Sequence, residues 1–148
     1  MNGHLARRFL TSLSGRAPDE ADAAWAESYL LGGELQLWRR LSAPDRRHAI
    51  AVTRRFQAGG SARAIEWSRE EMAGALLHDV GKLESGLGTA GRVVATVVGP
   101  RTARFRRYHD HEQIGAEMLT AVGSSSITTE LICGRGRAAA PLARADHI

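Results

Sequence analysis

Apolar residues recur along much of the chain at intervals of three and four, the period of an amphipathic helix rather than of a strand. Asp19 opens an acidic, alanine-rich segment in which Trp25 and Tyr29 lie one turn apart, and Gly32-Gly33 is expected to stop it. Leu35 with Trp38, and Leu37 with Leu41, then share overlapping faces. Ser42-Ala43-Pro44-Asp45 combines a hydroxyl cap, an early proline and a first-turn carboxylate, which together start a helix. That helix is expected to reach about Gln57 and to stop at Gly59-Gly60, with His48, Val52 and Phe56 on its inward face.

Ser68-Arg69-Glu70-Glu71 forms a capping box at the head of the next helix. Asp110-His111-Glu112-Gln113 repeats the pattern, so His111 is expected in the first turn of a helix whose apolar face carries Ile114, Met118, Ala121 and Val122. Short helices are predicted over 7–13 and 127–133, and a last one from Pro141. The β-branched stretch 93–98 has no second convincing strand to pair with and reads as a buried helix. The fold expected is all-α, about eight helices, with residues 1–42 a short helical N-terminal extension and 43–148 one helical domain.

The composition is that of a soluble globular chain: 148 residues, 43% hydrophobic and 24% charged. Residues 1–13 hold no sustained apolar core and do not read as a signal peptide, and 93–98 is too short to cross a bilayer. No membrane partner is expected. One cysteine, Cys133, excludes a disulfide framework or a thiolate zinc cluster within the chain, and a cytoplasmic location is the simplest expectation. The net charge of +4 favours acidic partners without naming one. Nineteen of the basic residues are arginine, and the only lysine, Lys82, falls directly after a His-Asp pair.

That pair carries the candidate chemistry. In Ala75-Leu76-Leu77-His78-Asp79-Val80-Gly81-Lys82 an apolar helical run ends on an imidazole and a carboxylate, followed by a glycine suited to a sharp turn and an ammonium that can face a bound anion. Two adjacent ligands seat a cation only if distant segments supply the rest. His48, His109 or His111, and Asp146 are the candidates, spaced so that successive helices can return to one point, as in a bundle with a metal in its core.

The order His48, His78-Asp79, Asp146 resembles the HD-domain superfamily of metal-dependent phosphohydrolases. The closest correspondence is Leu76-Leu77-His78-Asp79-Val80-Gly81-Lys82, with the His111 helix and Leu142-Ala143-Arg144-Ala145-Asp146 as further matches. The resemblance spans roughly 43–148. It implies a divalent ion, with Mn, Fe, Co, Ni or Zn suiting the mixed ligands better than Mg. His48, His78, Asp79 and Asp146 would hold it, and Asp79 would also orient the attacking water. His111 would add a ligand or act as general acid, while Lys82 and the run Arg101, Arg104, Arg106 and Arg107, with Arg104 and Arg107 foremost, would contact phosphate oxygens.

The implied substrate is a nucleotide or related small phosphate ester. Departures from the family are the lack of a histidine in Leu131-Ile132-Cys133-Gly134-Arg135, the lack of a glycine-tyrosine-proline signature, and Lys82 where some branches carry glutamate. They leave a mononuclear or an incomplete dinuclear site, and keep open a non-catalytic module that binds metal or nucleotide. A basic nucleic-acid binder is the least expected class, since no aromatic stacking pattern accompanies the arginines.

Overall fold

Capping chemistry sets most helix boundaries in the computed structural model, which describes residues 16–85 and 100–148, with side chains described for 16–83 and 111–148. The helices are α1 (Glu20–Glu27), α2 (Gly32–Arg40), α3 (Ala43–Ala62), α4 (Arg69–Leu76), α5 (Lys82–Ser85), α6 (Pro100–Ala121), α7 (Ser126–Ile132) and α8 (Ala139–Asp146). Among the described residues every regular element is a helix, so the fold is all-α. No helix among them is long and apolar enough to cross a membrane. The segments expected to be helical over 7–13 and 93–98 lie outside the described residues.

Asp19, Ser42, Ser68 and Ser125 cap α1, α3, α4 and α7, each accepting a hydrogen bond from the backbone N–H three residues on. At Ser68 the box closes both ways, since the Glu71 carboxylate accepts from the Ser68 N–H at 2.8 Å.

The predicted boundaries move in four places. Gly32 and Gly33 begin α2 rather than stopping the previous helix, and Gly33 meets Val122, whose Cβ would lie 2.6 Å from a β-carbon placed there. Helix α3 runs through Gly59-Gly60 to Ala62. The bare α-carbon of Gly60 is needed by the Trp67 ring, whose Nε1 would lie 2.3 Å from a β-carbon. The helix instead ends in a Schellman pattern: Ile65 N–H donates to Gly60 O, Ala64 N–H to Ser61 O, and Ala64 takes φ 57°. Third, α6 passes uninterrupted through Asp110–Gln113, because nothing between Arg101 and Gln113 breaks a helix. His111 therefore sits in its middle rather than its first turn. Fourth, α8 begins at Ala139, with Pro141 in the first turn, where a missing N–H costs nothing.

Helix α3 packs against α4 and α8, α4 against α7, and α6 against α5 and α7. Val52 and Phe56 of α3, Met72 and Ala75 of α4, Leu131 of α7, and Leu142 and Ala145 of α8 form one apolar cluster. A second joins Leu37 and Trp38 of α2, and Leu41 just after it, to Ile50, Leu76, Val80 and Leu119, so these three side chains share a core with α3, the end of α4 and α6. Its buried seal is polar: the fully buried Glu34 accepts hydrogen bonds from Arg69 at 3.1 Å, Ser124 at 2.7 Å and the Leu31 N–H at 2.9 Å.

Candidate metal centre

The apolar run of α4 drives Leu76, Leu77 and Val80 into complete burial, which fixes the turn between them. His78 is thereby held with its side chain 11% exposed. Its Nδ1 lies 2.7 Å from the Ala75 carbonyl, an atom that can only accept, so Nδ1 carries the proton and donates. The other ring nitrogen, Nε2, is buried and has no hydrogen-bond partner. Burial alone would lower the basicity of this imidazole. The Asp146 and Asp79 carboxylates and the Ala75 carbonyl outweigh it and raise the pKa.

Asp146 reaches the same point from the last turn of α8. That turn is pinned by Arg55, whose Nε donates to the Ala145 carbonyl at 2.8 Å, and by His48, whose Nε2 lies 3.0 Å from Asp146 Oδ1. His48 extends the inward face of α3 that carries Val52 and Phe56, at the place where that face opens onto a cavity. The imidazoles of His48 and His78 hold the Asp146 carboxyl far below the ordinary carboxylate range, against the opposing effect of its partial burial.

One ligand atom from each of His48, His78 and Asp146 lies within 4.8 Å of the other two. The His78 Nε2 to Asp146 Oδ1 separation is 3.7 Å. Ligands about 2.1 Å from a tetrahedral ion stand about 3.4 Å apart, so the observed 3.0 and 3.7 Å bracket that spacing. The set could therefore hold a metal ion, with His78 Nε2, buried and without a hydrogen-bond partner, among its ligand atoms.

Asp79 and His111 line the same cavity but fall outside that three-residue cluster. Asp79 Oδ2 is 3.5 Å from His78 Nε2 and 2.9 Å from Lys82 Nζ. Burial raises the Asp79 pKa, but the neighbouring His78 and Lys82 charges outweigh it and lower it. Burial likewise lowers that of Lys82, and the Asp79 charge more than restores it. His111 is brought across from α6 by a close backbone crossing. A β-carbon on Gly81 would lie 2.0 Å from the His111 carbonyl oxygen, and one on Gly115 would lie 3.2 Å from the Gly81 nitrogen. Gly81 is not in the left-handed region, so its purpose is this approach and not a sharp turn. The side chains of Arg101, Arg104, Arg106, Arg107 and His109 lie outside the described residues.

The cavity measures about 460 Å³, a volume typical of small-molecule sites. Two of its polar residues escaped the sequence reading, Glu112 and His147. Each directly follows a residue singled out as a ligand, and adjacency to His111 and Asp146 was the available signal. Compared with protein-family models, curated proteins and solved structures, the chain matches none.

Proposed function

We propose that the chain is a metal-dependent phosphohydrolase of the HD type, acting on a small phosphate ester, nucleotides among them. The observation that carries this reading is the convergence of His48 from α3, His78 from the turn after α4 and Asp146 from the end of α8 on one cavity that also holds Asp79, Lys82 and His111. His48, His78 and Asp146 would hold the ion. When bound, a divalent ion supplies acidified water and neutralises charge on the phosphoryl oxygens. The remaining residues then divide the work. Asp79 accepts a hydrogen bond from the attacking water, Lys82 Nζ donates to a phosphoryl oxygen, and His111 delivers a proton to the leaving-group oxygen.

A second reading is a non-catalytic HD module that binds metal or nucleotide as a sensor or partner-binding domain. It is favoured by one observation: the Asp79 carboxylate lies closer to Lys82, at 2.9 Å, than to His78, at 3.5 Å, and falls outside the His48, His78 and Asp146 group. Elemental analysis and calorimetric titration with Mn, Co and Ni, followed by a panel of phosphomonoesters and phosphodiesters, test both. Stoichiometric metal with turnover that vanishes in His78→Ala and Asp146→Ala supports the enzyme. Stoichiometric metal without turnover supports the module; failure to bind any of the three ions removes the enzyme, and failure to bind nucleotides as well removes the module.

A further inference from the structure

The cavity wall opposite in character to the metal cluster belongs to the ends of α7 and α8. On α8, Ala139, Leu142, Ala143 and Asp146 all line the cavity, at helical spacings of three and four. They form one stripe along one helix face. The seven steps from Ala139 to Asp146 advance about 10 Å along the axis at about 1.5 Å per residue, so the stripe leads away from the candidate ligand carboxylate along the apolar side chains of Ala143, Leu142 and Ala139. Leu131 and Ile132 of α7 continue that apolar lining.

Two absences among the described lining residues sharpen the picture. Their only Lys or Arg is Lys82, already ion-paired with Asp79, so a second phosphate meets no further cation among the described residues. They also include no Phe, Tyr or Trp ring to stack on a nucleobase.

We infer that the site takes a phosphate monoester whose organic part is an apolar chain, lying along the Ala139–Leu142–Ala143 stripe with its phosphoryl group at His48, His78, Asp146 and Lys82. This rests on the phosphohydrolase reading for its chemistry but not for its binding geometry. The transformation would be addition of water across the P–O bond, releasing the alcohol and inorganic phosphate, with no other reactant.

The experiment is calorimetric titration of the Mn-loaded full chain with methyl-, butyl- and hexylphosphonate, which cannot be hydrolysed at P–O–C, and with AMP and ADP. Each fully buried methylene tightens binding up to about four-fold, so hexylphosphonate is expected to bind at least roughly ten-fold more tightly than methylphosphonate. AMP is expected to bind no better than methylphosphonate, and ADP no better than AMP. Ala143→Glu, at an exposed position, should flatten the chain-length dependence while leaving the metal stoichiometry, set by His48, His78 and Asp146, unchanged. Equal affinities for methyl- and hexylphosphonate, ADP binding more tightly than AMP, or an unchanged slope in Ala143→Glu would each overturn the inference. The reading beneath it fails separately. A steep chain-length dependence without hydrolysis of hexyl phosphate keeps this ligand assignment and removes the enzyme, whereas hydrolysis with a flat dependence does the reverse.

Discussion

Gly81 and His111 meet backbone to backbone: a β-carbon on the glycine would lie 2.0 Å from the histidine's carbonyl oxygen. The turn bearing His78 and Asp79 and the middle of α6 are thus locked at a distance that only glycine permits. Gly81→Ala must push α6 away, since a backbone oxygen cannot rotate aside as a flexible side chain would. The expected cost is about 1–3 kcal/mol of stability, seen as a fall of several degrees in Tm. Metal affinity should fall with it, because Val80 and Gly81 couple the position of His78 to α6. A variant of wild-type Tm and wild-type metal affinity would show that α6 accommodates the methyl group.

The contrast between Gly81 and Ser68 shows what a sequence reveals. A capping box is a contract between residues three apart, so Ser68 and Glu71 announced a helix start that the structure contains. Gly81, Gly60 and Gly33 are small because something distant approaches them: His111, Trp67 and Val122. Read locally, such glycines look like turns or stops. The Asp110–Gln113 pattern misled for the converse reason, since a box-like sequence can sit inside a helix when nothing upstream breaks it.

The candidate site was legible for a different reason. Metal-competent residues at the ends of apolar helical runs are conspicuous by their chemistry, and His48 could be placed on the inward face of α3 from periodicity alone. What periodicity could not supply was the division of the set, in which His48, His78 and Asp146 cluster while Asp79 turns to Lys82. That division is set by distances between helices and not along them.

Glu34 gave no sign of its role in sequence, where it reads as an ordinary residue of an early helical turn. It is completely buried and holds Arg69, Ser124 and the Leu31 N–H together, joining α2 to the head of α4 and the α6–α7 connection. Glu34→Ala would strand those donors, and the expected loss is about 3–5 kcal/mol in urea denaturation. Ser124→Ala removes one neutral donor and should cost about 1 kcal/mol. If the two variants were equally stable, the carboxylate would not be the centre of this network.

Glu71 contributes to the acid limb of the stability profile. Burial alone would raise its pKa, but hydrogen bonds from Arg137 and from the Ser68 N–H, with the Arg137 charge, outweigh it and lower the folded-state value. A carboxyl whose folded pKa lies below its unfolded value, about 4.3, contributes stability that is complete above that value. The contribution is lost as pH falls through the depressed folded pKa. Unfolding free energy should therefore decline below about pH 4, and Glu71→Gln should flatten that part of the profile. The same variant should behave identically to itself at pH 6 and pH 8 as far as this pair is concerned, because Arg137 keeps its charge throughout. An acid limb equally steep in the variant would assign the loss to other carboxylates.

On the phosphohydrolase reading, Lys82 should separate metal binding from turnover. Its ammonium lies 2.9 Å from Asp79 Oδ2 and adds positive charge beside the very cluster proposed to hold a cation. Lys82→Met keeps the length and apolar stem of the side chain but removes that competitor for Asp79. The ion pair is partly exposed, the lysine side chain 51% so, and such pairs are worth about 0.2–1 kcal/mol. Divalent-metal affinity is therefore expected to rise about two- to five-fold, read by calorimetry with Mn or Co. Phosphate-ester turnover should move the other way, falling on the order of 10²-fold through loss of a donor aimed at the phosphoryl oxygens. Opposite movements are the signature of a lysine that yields Asp79 when the cation arrives and then serves the substrate. A parallel fall in both would mean that Lys82 props up the turn, and its place would be structural.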